Sequence, residues 1–324
     1  MIEAGSQIDP DKVAIVIPTL NAGPHLDAQL AALSQQGLPP SCYLVIDSSS
    51  DDDTQERYAA FGADVVRIER REFNHGGTRR YATTLRPGAE FLVMMTQDAI
   101  PASPDSLRNL LASFGDPAVG MAYGRQLPRR NARGIERHAR LLNYPPVSEV
   151  RSLADRPRLG VKTTFCSDSY AAYRRTALQA VGNFPEDTYF AEDQIVAGRM
   201  LLAGWKLAYQ AEAGAVHSHG YSISEEFRRY FDIGVFHSRN QWLLVSFGAV
   251  EGEGVRFLKS EFAYLARHEP LAIASAFVRA FAKYAGYRLG RLETRLSPAM
   301  KKRLSMQPYY WGQKEAAAGA RPTA

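Results

Sequence analysis

Cysteine is nearly absent. The 324 residues hold only Cys42 and Cys166, too few for a disulfide scaffold, so a reducing compartment is the expected setting. Long hydrophobic runs are missing as well: the longest, residues 271–278, stops at Arg279 and falls well short of the ~20 residues a membrane span needs. Residues 1–12 are polar, and the apolar run 13–17 behind them is too short for a secretory leader. No internal repeat or low-complexity tract is visible, and the 25 glycines and 18 prolines are scattered, which excludes a fibrous repeat. With 45% hydrophobic and 23% charged residues, the composition is globular. Its length suits one large α/β domain, alone or with an appendage. The expected location is the cytoplasm, with peripheral attachment to the inner face of the cell membrane as a further option.

The net charge of +5 is uneven. Between Arg279 and Arg303 stand eight basic residues against one acid, Glu293, leaving the rest of the chain slightly acidic. A basic tail on a near-neutral body suggests an anionic surface as partner.

The first two thirds alternate strand and helix signals. Residues 13–17, 43–46, 64–68 and 90–95 read as strands, the apolar ones as strands buried on both faces. Helical spacing over 25–35, 54–61 and 78–85 separates them. This order predicts a mostly parallel sheet with right-handed crossovers, and such sheets bind ligands at the carboxyl ends of their strands. Beyond Pro101 the signals weaken. Helices are expected at 106–114, 174–181 and 191–202, strands at 119–123, 165–173, 206–210 and 215–217, and an irregular basic segment of helix and loop at 129–146. From Ser224 the chain reads as helical, so the expected division is a catalytic domain, 1–223, and a helical basic region, 224–324.

Four polar clusters fall at strand ends. Pro18, Thr19 and Asn21 follow the first strand, and Asp47, Ser49 and their neighbours follow the second. An aspartate beside hydroxyls and backbone amides can read a nucleobase and ribose, and it can equally cap a helix. Phe73-Asn-His-Gly-Gly-Thr-Arg79, with His75 and Gly76, can bring backbone and a guanidinium to an anion, or form a plain turn. Gln97 and Asp98 end a wholly apolar strand, and one carboxylate with phosphate oxygens and water suffices for Mg2+. Glu192 and Asp193 open a helix, where the dipole stabilises acids and where a carboxylate can also act as a general base. His217 and His219 follow; one of them can be a metal ligand or phosphate contact.

In this order and spacing, the clusters resemble a family 2 glycosyltransferase. The segments around Phe73–Arg79 and Met95-Thr-Gln-Asp-Ala99 are similar to its bacterial rhamnosyltransferase branch. The similarity runs from about Val13 to Gln241. It implies a GT-A fold, α/β and Rossmann-like, with a mostly parallel central sheet flanked by helices and a helical C-terminal extension. It also implies an inverting transfer from a nucleotide sugar, with dTDP-β-L-rhamnose as the expected donor and Mg2+ or Mn2+ as cofactor. Carried over residue by residue, Asp47 contacts the base, while Pro18, Thr19, Asn21, Ser49, His75, Gly76 and Gln97 line the nucleotide-sugar pocket. Arg79 lies near ribose and diphosphate, Asp98 and His219 hold the metal, and Asp193 is the base with Glu192 beside it. Two departures are visible: Ser48 and Gln97 stand where many members carry further aspartates.

Arg125, Asp168 and Trp205 are the candidate acceptor contacts. The acceptor implied by the resemblance is a glycan or lipid-linked glycan of the cell surface. In the tail, Phe277, Phe281 and Tyr284 recur at helical spacing among Lys and Arg. That pattern fits an interfacial amphipathic helix, and equally a helix packing its apolar stripe on the catalytic domain. A UDP-hexose or UDP-N-acetylhexosamine donor, and a non-catalytic nucleotide-sugar or nucleic-acid binder, are the alternatives. No nucleic-acid partner is expected, because aromatic-interleaved basic motifs are lacking.

Overall fold

The computed structural model describes residues 9–248 and 252–319; residues 1–8, part of the polar start, lie outside it. Nine strands form one sheet: β1 (Val13–Thr19), β2 (Tyr43–Asp47), β3 (Asp64–Arg67), β4 (Phe91–Met95), β5 (Ile100–Pro101), β6 (Val119–Leu127), β7 (Glu149–Arg151), β8 (Tyr170–Arg174) and β9 (Lys206–Val216). Their order is β3-β2-β1-β4-β8-β6-β9-β5, with β7 also on β9. β1, β2, β3, β4, β6 and β9 share one direction, and β5, β7 and β8 oppose it.

The physical cause is legible strand by strand. β2 and β4 are buried along their whole length, and β1 nearly so, which is why they read as continuous apolar runs. β3 is the edge strand: Asp64 and Arg67 at its ends are exposed, and charge there blocks further pairing. The helices up to residue 202 are α1 (Gly23–Leu33), α2 (Thr54–Phe61), α3 (His75–Leu85), α4 (Ser106–Ala112), α5 (Gly134–Asn143), α6 (Arg156–Leu159), α7 (Arg175–Ala180) and α8 (Glu192–Leu202). Leu26 and Leu33 of α1, Tyr58 of α2 and Leu107, Leu110 and Leu111 of α4 join the strand residues in the main core.

Several elements differ from expectation. In the segment 129–146, where helix and loop were expected, the helix is α5; the departures lie elsewhere. The two short strands expected at 206–217 are one strand, β9. Its register against β6 slips between Gly124 and Arg125, so Ala211, Glu212 and Ala213 bulge out of step and break the pattern that alternation would have shown. β5 and β7, of two and three residues, carried no signal.

The described residues pack as two units. The first takes residues up to Arg130, Arg140–Thr188 and Glu192–Ser218. The second takes Asn131–Ala139, Tyr189–Ala191 and His219 onward. The second unit is helical, with α9 (Ile223–Arg239), α10 (Gln241–Phe247), α11 (Glu253–His268), α12 (Ile273–Gly290), α13 (Pro298–Leu304) and α14 (Pro308–Gly319). α9 and α12 touch backbone to backbone: a Cβ added to Gly290 would stand 2.0 Å from the Phe231 carbonyl oxygen, and one on Gly286 2.3 Å from that of Phe227. Only glycine permits this approach. No described helix is long and apolar enough to cross a membrane.

Candidate active site

The polar clusters meet at one edge of the sheet because the parallel register aligns the strand ends. Thr19 pairs with Asp47 and Asp47 with Arg67, while β8 enters against the end of β4, with Met95 opposite Tyr170. β6 and β9 finish together, Leu127 beside Val216.

Asp47 is fully buried. Its carboxylate accepts from the Thr19 hydroxyl at 3.0 Å, and from the backbone N–H (2.8 Å) and hydroxyl (2.5 Å) of Ser50. It therefore shapes the loop that sequence expected it to leave for a base. Asn21 and Ser49 sit in these loops in left-handed backbone, with φ of 51° and 62°, a conformation that costs non-glycine residues energy and tends to occur at functional loops; Asn21 Oδ1 accepts from the Asp51 N–H at 2.9 Å and the Ser49 hydroxyl donates to the Ile68 carbonyl at 2.8 Å. Gln97 likewise spends its amide on the chain. It accepts from the Leu20 N–H at 2.7 Å and donates to the Leu20 carbonyl at 3.0 Å, tying the end of β1 to the end of β4. Pro18 sits in β1 opposite Ile46.

Asp98 stands at the tip beyond β4, with its side chain 13% exposed. Its Oδ1 is 3.4 Å from His217 Nε2, and its Oδ2 is 3.5 Å from the Arg129 guanidinium. Gln126 fixes how the imidazole is presented. Its amide nitrogen donates to Ser167 Oγ at 2.7 Å, which turns its oxygen toward His217 Nδ1 at 3.1 Å. With Nδ1 donating to Gln126, Nε2 is the nitrogen turned toward Asp98. An oxygen and a nitrogen donor so oriented fit a divalent ion such as Mn2+. The resemblance gives this role to His219, which follows two residues further along the chain, its ring stacked on Tyr221 with centroids 5.3 Å apart, and it stays a candidate ligand beside His217. The residues by themselves left His217 open as a ligand beside His219; the parts played by Gln126 and Arg129 were not visible, because β6 and β9 had to be paired before these residues could be seen as neighbours.

The carboxylates of α8 divide into two environments. Glu192 is 4% exposed and Asp168 3%, and both grip Arg79, itself 3% exposed. Arg79 Nη1 is 2.5 Å from Glu192 and Nε 3.1 Å from Asp168, and Tyr173 donates its hydroxyl to Asp168 at 2.5 Å. Arg79 is thus an internal counter-ion, not a surface contact for diphosphate, and Asp168 is not an acceptor contact. Asp193 is the carboxylate that keeps partial exposure. It accepts from the Asp168 N–H at 3.0 Å and the Gln194 N–H at 2.7 Å. Burial and the adjacent Glu192 charge push it up to about 6, against the usual carboxylate range near 4. Three carboxylates lie around one guanidinium here; burial is the larger cause of the lift on Asp193, and the neighbouring negative charge adds to it.

The segment 167–169 joins the two centres. Ser167 holds Gln126, the Asp168 N–H holds Asp193, and the Ser169 carbonyl accepts from the Thr96 N–H at 3.2 Å, two residues before Asp98. Asp98 and Asp193 therefore belong to one hydrogen-bonded frame.

Other expected site residues fall elsewhere. α3 begins at His75, capped by Asn74, so the glycine pair lies inside the helix rather than in a loop before it. A Cβ on Gly76 would stand 1.9 Å from the Pro185 carbonyl oxygen; the glycine serves packing against residues 185–186. Burial and the Arg79 charge push His75 down to about 3, which keeps it neutral. Arg125 donates to the Tyr144 carbonyl at 3.2 Å. Trp205 precedes β9, whose far end carries His217; about 3.3 Å per strand residue puts it roughly 30 Å from that end. It is not an acceptor contact at this site.

The model of the glycosyl transferase family 2 matches residues 14–182. The chain is 42% identical over 301 residues to the O-antigen chain rhamnosyltransferase RfbN of Salmonella typhimurium, covering 93% of this chain and 96% of that one. It is 42% identical over 298 residues to the O-antigen chain rhamnosyltransferase WbaN of Salmonella anatum, covering 92% and 95%. Among solved structures, the mannosyltransferase PcManGT of Pyrobaculum calidifontis, in complex with GDP-Man and Mn2+, aligns with a TM-score of 0.54. Its identity is 21%, over 95% of this chain and 87% of that one. The fold is GT-A, with a helical C-terminal region.

Proposed function

The chain belongs to glycosyl transferase family 2 and is a glycosyltransferase, and from that premise we propose that it transfers L-rhamnose from dTDP-β-L-rhamnose, with inversion, to a glycan hydroxyl. The acceptor is a growing cell-surface polysaccharide of the O-antigen kind, free or lipid-linked, as the names of the two relatives suggest. The work is done in the cytoplasm, and the basic C-terminal region meets an anionic membrane surface.

One observation carries the mechanism: of the three carboxylates around Arg79, only Asp193 keeps exposure, and its proton affinity is raised. Asp193 takes the proton from the attacking hydroxyl. A base titrating near 6 is ionised at neutral pH yet stronger than an ordinary carboxylate, and general-base help of this kind typically contributes ~10²–10⁴-fold. The Asp168 and Gln194 N–H groups aim it. Glu192 and Asp168, held by Arg79, set its charge environment and keep their own oxygens out of the reaction.

Asn21 and Ser49 face the nucleotide from loops that Asp47 and Gln97 hold in shape. Asp98 and His217 are the proposed metal ligands, with His219 two residues along the chain as a further one. A bound divalent cation, Mg2+ or Mn2+, supplies charge that stabilises the departing diphosphate. Arg129, beside Asp98, takes over the diphosphate contact first assigned to Arg79.

The test is donor hydrolysis and transfer with dTDP-rhamnose, UDP-glucose and UDP-N-acetylglucosamine. Preference for dTDP-rhamnose is expected. Preference for a UDP sugar overturns the donor assignment, and nucleotide binding without turnover of any donor overturns the catalytic one.

A further inference from the structure

α12 is packed the reverse way from an ordinary surface helix. Its inward face is made of small residues: Ala276, Ala282, Gly286 and Gly290 are buried, and the two glycines lie against the backbone of α9. Its large apolar residues point to solvent: Phe277 is 68% exposed, Phe281 71% and Tyr284 61%, with Leu271 at 94% just before the helix. Phe277, Phe281, Tyr284 and Arg288 follow at spacings of four, three and four, one continuous stripe opposite the glycines. Exposed aromatics in a contiguous stripe mark an interaction surface.

The charge of the segment that carries the stripe says what covers it. Glu293 is the only acid between Pro270 and Arg303. It is buried, held by Arg239 at 2.9 Å and Lys301 at 2.7 Å, so it cannot offset the surface charge. Arg288, Arg295, Lys302 and Arg303 are all exposed. A second copy of the chain would bring like charges together. An anionic lipid headgroup layer meets the cations and receives the aromatics below them.

We propose that the outer face of α12 lies in the headgroup region of an anionic membrane, with Phe277 and Phe281 inserted and Arg288, on the same stripe beside Tyr284, against the lipid phosphates. This rests on the anionic-surface partner of the proposed function and assigns it to one helix face, by insertion as well as charge. It does not depend on which sugar is transferred.

The experiment is co-sedimentation of the full chain, without donor or acceptor, with vesicles of phosphatidylcholine alone or mixed with phosphatidylglycerol at low salt. Binding to the mixed vesicles is expected, falling about tenfold or more in the Phe277→Ser, Phe281→Ser double variant. No binding of the wild type to the mixed vesicles overturns the proposal, and so does undiminished binding of the double variant. Sedimentation velocity without vesicles adds a further check: a wild-type dimer that the double variant dissociates means a second copy covers the face. Because the Phe277 ring stacks on Phe262 of α11 with centroids 6.0 Å apart, the stability control is Phe281→Ser alone, whose melting temperature should be unchanged; a lowered one means Phe281 is packed, which also overturns the proposal. Donor hydrolysis in vesicle-free solution should stay at the wild-type level, so failure of the membrane proposal leaves the transferase assignment standing, and the reverse.

Discussion

Arg79→Met removes the one cation shared by Asp168 and Glu192, without changing bulk much. Arg79, Asp168 and Glu192 are each 4% exposed or less, with contacts of 3.1 and 2.5 Å. Breaking a buried pair by deleting one partner costs about 3–5 kcal/mol, because the remaining charge is left uncompensated. At roughly 2–4 °C per kcal/mol for a domain of about 200 residues, the melting temperature should fall by about 10 °C. An exposed arginine would instead change stability by about 0.5 kcal/mol or less. The second effect is on the base. The Arg79 charge lowers the proton affinity of Asp193, so its loss should move the acid limb of kcat/KM upward from about 6. Adding Glu192→Gln removes one of the stranded carboxylates and should recover part of both losses. Thermal melting and a pH–rate profile measure these directly. A variant that melts like the wild type but has lost donor affinity would refute the assignment, since it would mean that Arg79 contacts the diphosphate.

Asp193→Asn should lower transfer by ~10²–10⁴-fold while donor binding stays near the wild-type value; lost donor binding would make the residue structural. In the wild type, activity should fall as pH drops through about 6, because Asp193 must be ionised to act. The stability contribution of the same group has the opposite sign. Its folded value lies above the unfolded one, as does that of Asp232, also pushed up to about 6 by burial in α9. The folded state therefore binds more protons between about pH 4 and 6, and these two groups stabilise the fold as pH falls through that window; denaturant melts at pH 5 and 7 of Asp193→Asn/Asp232→Asn against wild type isolate the term. Gln126→Ala frees the His217 ring to turn and should weaken Mn2+ binding by about 10–100-fold, read by calorimetry with nucleotide present. Unchanged affinity would remove His217 from the ligand set. Gly290→Leu should prevent the α9–α12 contact and unfold the helical unit, seen as lost helical circular dichroism.

The sequence by itself determined the layered framework. Runs such as Val13–Ile17 and the Phe91–Met95 strand are apolar on every residue because both of their faces are covered, and that pattern needs no coordinates to read. It also located the polar strand ends at Asp47 and Asp98, because an apolar strand turns polar only where it ends, and the acidic helix start at Asp193. Side-chain roles were less visible. Arg79 and Asp193 look alike in sequence as charged residues near a cleft. Only the packing of α3 against α8 encloses the first among carboxylates and leaves the second partly open. His217 and Gln126 are separated by 91 residues and become partners through the β6–β9 register, which a three-residue bulge conceals. The outward turn of Phe277 and Phe281 was also undecided by periodicity, since a helical stripe is the same whether it faces the core or the solvent. The glycines on the opposite face chose, because they alone let α9 come within backbone contact.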